Sequence, residues 1–115
     1  MNTTEFRKEV CKIMPGYRWT VHNQLLDKDG KYLSATGIQS SGFNRLSTLK
    51  VVRTDRNGTI KYEVMYAGYG KKSPWLSSTK DGTLARALRG LQEHFEAMAR
   101  TYTGAANDLQ TARKV

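Results

Sequence analysis

One dipeptide constrains the fold of this chain more than any other feature. In Arg56-Asn57-Gly58-Thr59 an Asn-Gly pair separates two runs rich in β-branched and aromatic residues. The tightest β-hairpin turn needs positive φ at both loop positions, and Asn and Gly tolerate this best. A two-residue loop at Asn57-Gly58 also dictates register: Arg56 faces Thr59, Val51 faces Val64 and Leu49 faces Tyr66. Strand side chains alternate, so Leu49, Val51, Tyr62, Val64 and Tyr66 share one face, while Lys50, Val52, Thr54, Lys61, Glu63 and Met65 share the other. One face is apolar and needs a cover; the other is polar and basic.

The cover follows in sequence. From Thr83 to Tyr102, the residues Leu84, Leu88, Leu91, Phe95, Met98 and Tyr102 recur at alternating steps of four and three, which makes one apolar stripe along a helix. Arg86, Arg89, Glu93, Glu96 and Arg100 lie opposite, and Gly104 is a suitable stop. The heptad-like spacing is too brief for a coiled coil when a sheet nearby needs covering. Residues 105–115 are polar and predict a frayed tail or a short loose helix.

Upstream, Asn2-Thr3-Thr4-Glu5 supplies helix-capping residues ahead of Phe6, Val10 and Ile13 at helical spacing, and Pro15-Gly16 ends that helix. The period then changes to two: Tyr17, Trp19 and Val21 alternate with Arg18, Thr20 and His22, as in a half-buried strand. Asp27-Lys28-Asp29-Gly30 predicts a hairpin loop with Asp27 opposite Lys31, followed by a strand from Lys31 to about Ile38. Gln39-Ser40-Ser41-Gly42 predicts a polar loop, and a turn at Gly68 to Lys72 leads to a short strand, Pro74 to Ser78. The expected architecture is an α+β two-layer sandwich. An antiparallel sheet of four strands, with room for a fifth, carries a short N-terminal helix and a long C-terminal helix on one side. Residues 1–104 form one domain and residues 105–115 a polar C-terminal tail.

No catalytic constellation is present, so the chain is not expected to be an enzyme. His22 and His94 lie on different elements, and with one cysteine they do not make a four-ligand zinc site. Asp27, Asp29, Asp55 and Glu63 have no recognised metal-site spacing. Ser40-Ser41 and Ser77-Ser78 fall in expected turns without a nucleophile-elbow sequence. Gly68-Tyr69-Gly70-Lys71-Lys72 has the composition of a phosphate loop but not its spacing, which favours a plain turn. No cofactor is expected. Cys11, among Phe6, Val10 and Ile13, reads as a small core residue. No apolar run approaches the roughly 20 residues of a membrane span, and no secretion signal opens the chain. A cytoplasmic protein without a membrane role is expected.

The charge pattern carries the functional reading. The chain of 115 residues has a net charge of +9, an excess that favours polyanionic partners. Between Asn44 and Lys80 lie eight basic residues, Arg45, Lys50, Arg53, Arg56, Lys61, Lys71, Lys72 and Lys80, against only Asp55 and Glu63. The positive field therefore centres on the hairpins. Tyr69 and Trp75, interleaved with these charges, are suited to stacking on bases. The candidate nucleic-acid-binding set is Lys50, Arg53, Arg56, Lys61, Tyr69, Lys71, Lys72, Trp75 and Lys80. The expected partner is nucleic acid, DNA ahead of RNA. The alternative is a host nucleic-acid-handling protein complex, bound by a phage or mobile-element inhibitor; anti-CRISPR proteins and other host-takeover factors are similarly small and lack catalytic residues.

Part of the chain resembles a known DNA-binding family. Tyr62-Glu63-Val64, Gly70-Lys71-Lys72, Trp75, Thr79-Lys80-Asp81 and Leu84-Ala85-Arg86-Ala87-Leu88 look like the small N-terminal domain of phage-type and transposon integrases, related to the plant AP2 domain. That resemblance, over less than a third of the chain, implies a three-stranded sheet followed by one helix, with the sheet entering the major groove. The helix-sheet-helix order is also similar to that of double-stranded RNA-binding domains.

Overall fold

A computed structural model describes residues 1–28, 30–70 and 74–113. The element order is α1 (Thr3–Ile13), β1 (Arg18–Val21), β2 (Leu25–Asp27), β3 (Gly30–Ser41), β4 (Asn44–Arg56), β5 (Thr59–Ala67), β6 (Trp75–Asp81) and α2 (Leu84–Arg113). It is the expected α+β architecture with a larger sheet of six strands. All strand pairs are antiparallel, in the order β1-β3-β4-β5-β6, and β2 also pairs with β3.

The Asn57-Gly58 hairpin forms as the sequence dictates. Asn57 and Gly58 both take positive φ, 54° and 84°, and Asp55 Oδ1 accepts a hydrogen bond from the Gly58 amide at 3.1 Å. Arg56 pairs with Thr59, Val51 with Val64 and Leu49 with Tyr66, so the two faces separate as expected.

The first half of the sheet differs from expectation. β2 pairs Leu26 with Lys31 and Asp27 with Gly30, so Asp27 does not face Lys31. β1 pairs further along the same edge of β3, Trp19 with Gly37 and Val21 with Ala35. Thus β3 is long enough to hold two short strands end to end. Gln39, Ser40 and Ser41 continue β3 instead of forming a loop, and the turn narrows to Gly42-Phe43. These polar residues suit a strand here because Gln39 to Ser41 extend past the core and are exposed.

Both helices lie on one face of the sheet. Asn2 and Glu5 form a reciprocal capping box at the start of α1. α1 lies over β1 and β3, and α2 lies over β5 and β6. Between helices and sheet, Phe6, Val10, Leu33, Leu49, Val51, Val64, Leu84 and Leu91 form a continuous core, each large side chain worth about 1.5–3 kcal/mol on burial. Phe6 and Val10, four residues apart, point inward, whereas Cys11 is rotated about 100° further round α1. Cys11 is therefore exposed and is not a core residue.

α2 does not stop at Gly104. It runs to Arg113, so the residues expected as a tail continue the helix. Ala97, Ala99, Ala105, Ala106, Leu109, Gln110 and Ala112 are strong helix formers, and one interior glycine costs only about 1 kcal/mol. No helix among the described residues is long and apolar enough to cross a membrane.

Candidate nucleic-acid interface

With both helices on one face, the other face of the sheet is left open, and strand register places its residues in rows. One row runs Thr20, Thr36, Lys50, Met65, Ser78 from β1 to β6; the next runs Ser34, Val52, Glu63, Lys80; the next runs Tyr32, Thr54, Lys61. Arg56 follows at the end of β4. Rows lie about 6.7 Å apart and strands about 4.8 Å apart. Lys61 is therefore about 8 Å from both Arg56 and Lys80 at backbone level, and about 14 Å from Lys50. Four of the candidate cations thus come together on one uncovered surface.

Arg56 is held in place. Its Nη2 donates to the Tyr32 hydroxyl at 2.7 Å, and its guanidinium lies 5.6 Å from the centre of the Tyr32 ring. This stacking pre-orders the guanidinium while leaving Arg56 exposed. Glu63 is an acid on this face, and its carboxylate lies 3.5 Å from Lys80 Nζ. Val52, Thr54, Arg56, Thr59, Lys61, Glu63 and Lys80 surround a shallow depression of about 390 Å³. Its lining combines the cations Arg56, Lys61 and Lys80 with the threonines Thr54 and Thr59.

Arg53 does not belong to this group. Its parity matches Leu49 and Val51, so it points to the helix side, where it is only 7% exposed. Arg53 Nε donates to the Tyr62 hydroxyl at 3.1 Å, and its guanidinium lies 5.8 Å from that ring's centre. Burial is the main reason the Tyr62 phenol is pushed up to about 12; nearby Glu9 adds to the shift and Arg53 opposes it. Glu9 Oε1 is buried without a hydrogen-bond partner among the described residues. Arg53 is a structural cation inside this polar cluster, and a phosphate approaching the open face cannot reach it.

The aromatic candidates lie elsewhere. Tyr69 lies just after β5 and Trp75 begins β6, both at the end of the sheet opposite Asn57-Gly58, with Trp75 about 20 Å along the strands from Lys61. Tyr69 donates from its hydroxyl to Asn44 Oδ1 at 3.2 Å, and the Gly70 amide donates to the Arg45 carbonyl at 3.0 Å, so this segment folds back on the turn end of the β3–β4 hairpin. Trp75 begins β6 beside a bulge and is 47% exposed. Lys71 and Lys72 lie outside the described residues.

Sequence reading missed Tyr32 and the hydroxyl rows. Pairing β3 with β4 puts Tyr32 opposite Thr54 and Thr36 opposite Lys50; the alternation within β3 was the available signal, but its partner strand was not. His22 is also on this side, with Nε2 2.8 Å from Thr36 Oγ1. Among the described residues no group of three or more His, Cys, Asp or Glu is placed to hold a metal ion. Compared with protein-family models, curated proteins and solved structures, the chain matches none.

Proposed function

We propose that this protein binds nucleic acid, DNA in preference to RNA, through the open face of its sheet. The observation that carries this reading is the convergence of Lys50, Arg56, Lys61 and Lys80 on one uncovered surface, with Glu63 as the acid among them. The four cations neutralise backbone phosphates, and the hydroxyls of Thr36 and Thr54 between them add uncharged donors to phosphate or base edges. Because the face is wide and uncurtained by helices, it suits the backbone of a duplex as a surface contact, made without Tyr69 and Trp75, which lie about 20 Å away along the strands.

Fluorescence anisotropy with labelled duplex DNA, single-stranded DNA and RNA tests this. Binding at low salt that weakens steeply as salt rises is expected, and Lys50→Glu with Lys61→Glu should abolish it. Absence of binding to all three at low salt would remove the proposal. A stoichiometric protein partner retained from nuclease-treated lysate, without nucleic-acid binding, would instead support the host-complex reading.

A further inference from the structure

The last part of α2 leaves the body of the molecule. From Glu96 to Arg113 every residue is exposed, and the chain reaches 64 Å along its longest axis. This arm is about 27 Å long. It is not a polar extension. The stripe that the sheet covers at Leu84, Leu88, Leu91 and Phe95 continues without a break through Met98, Tyr102, Ala105, Leu109 and Ala112, still at alternating steps of four and three. Met98 is 37%, Tyr102 65% and Leu109 68% exposed. A helix carrying an unbroken heptad stripe forms a coiled-coil seam wherever the sheet does not cover it.

We propose that Glu96–Arg113 is a dimerisation arm whose partner is the same arm of a second copy of this chain, running antiparallel. Three observations select that occupant. First, a parallel, in-register pair would bring the stripes at Leu84 to Phe95 together and force both sheets into the same space; an antiparallel pair overlaps only the arms and keeps the bodies at opposite ends. Second, the stripe is self-complementary in size. With the two-fold axis between Thr103 and Gly104, Met98 meets Leu109 of the second copy and Tyr102 meets Ala105, while Phe95 stays packed on Tyr66 of its own sheet. In the central layer the large Tyr102 meets the small Ala105, and Ala99 faces Ala106 beside the seam, allowing close approach. Third, the arm is electrically neutral within a chain of net charge +9, since Glu96 and Asp108 balance Arg100 and Arg113. The same register sets Arg113 beside Gln92 and Glu96 of the second copy, and Glu96 supplies the opposite charge. The basic bodies are then separated by several Debye lengths' worth of arm, about 8–10 Å each at moderate salt, so their repulsion is screened. The contact is isologous and closes as a dimer.

Sedimentation equilibrium of the full chain over a wide concentration range tests the arm. The expected species has twice the 13.0 kDa monomer mass. Met98→Glu and Leu109→Glu should each weaken association about tenfold or more, while Asn107→Glu, on the outer side of the arm, should not. All three residues are exposed in the single chain, so the body folds in each variant. Orientation is read in a Cys11→Ser background: an equimolar mixture of Met98→Cys and Leu109→Cys chains should cross-link, and neither should cross-link with itself. A monomer at every concentration, a dimer indifferent to Leu109→Glu, or self-cross-linking of Met98→Cys would each overturn the proposal.

Discussion

Gly37→Ala is the substitution whose effect follows most directly from the packing. Gly37 pairs with Trp19 across β1 and β3, and the indole lies flat on the glycine. A Cβ at position 37 would stand 2.9–3.0 Å from the Trp19 ring carbons Cζ3, Cε3 and Cη2, whereas unstrained carbon contacts are about 3.5–4.0 Å. The ring cannot swing aside freely, because Trp19 is 7% exposed and its Nε1 donates to the Met14 carbonyl at 3.0 Å. Overpacking of this kind costs about 1–3 kcal/mol. Replacing a strand glycine by alanine returns about 0.5–1 kcal/mol through lower backbone entropy in the unfolded chain. The net expectation is a loss of about 1–2 kcal/mol. Urea unfolding followed by tryptophan fluorescence measures it, and the midpoint should fall with little change in slope. A variant as stable as the parent, or more stable, would refute the argument that the indole is fixed against a glycine.

The remaining expectations address the polar cluster and the open face. Arg53→Gln should lower stability by about 2–3 kcal/mol, because it strands the Tyr62 hydroxyl and Glu9 in the core, yet should leave nucleic-acid binding by the folded protein unchanged; parallel denaturation and anisotropy measurements separate the two. Tyr62 has a folded pKa of about 12 against 10.0 in its ordinary state. A raised folded pKa means that its contribution, at most about 2–3 kcal/mol before solvent screening, is complete below pH 10 and is lost as pH rises toward 12. Guanidinium unfolding at a series of alkaline pH values should show a shallower decline for Tyr62→Phe than for the parent. Glu63→Gln should strengthen DNA binding about threefold, since one unit charge at about 7 Å in water is worth about 0.6 kcal/mol. It should change stability by less than about 1 kcal/mol, because the pair with Lys80 is a surface one.

What could be seen in the sequence was local, and what could not was set by distant pairing. Asn57-Gly58 fixes its own turn and therefore the register of β4 on β5, and Asn2 with Glu5 announces α1. The sharing of one edge of β3 by β1 and β2 depends on which strands meet across the sheet, and no local residue encodes that. Arg53 is a different case. The register that put Val51 inward also puts Arg53 inward, opposite Tyr62; charge argued for solvent, and alternation prevailed because Tyr62 and Glu9 offer polar company in the core. Gly104 was a plausible stop, but surrounding alanines carry the helix through it. For the candidate interface, Lys50, Arg56 and Lys61 were legible from alternation and turn position, while Lys80, beyond the expected Pro74–Ser78 strand, and Tyr32, which orders Arg56, took their places only when β6 was set beside β5 and β3 beside β4.

The central claim is that the open face neutralises phosphates at four defined cations, and the salt dependence of duplex DNA binding measures that number. Four contacts predict a slope of log affinity against log salt of about −3.6, and removing three of them in Lys50→Gln/Arg56→Gln/Lys61→Gln predicts about −0.9. A parent slope near zero, or a slope that the triple substitution leaves unchanged, would contradict it.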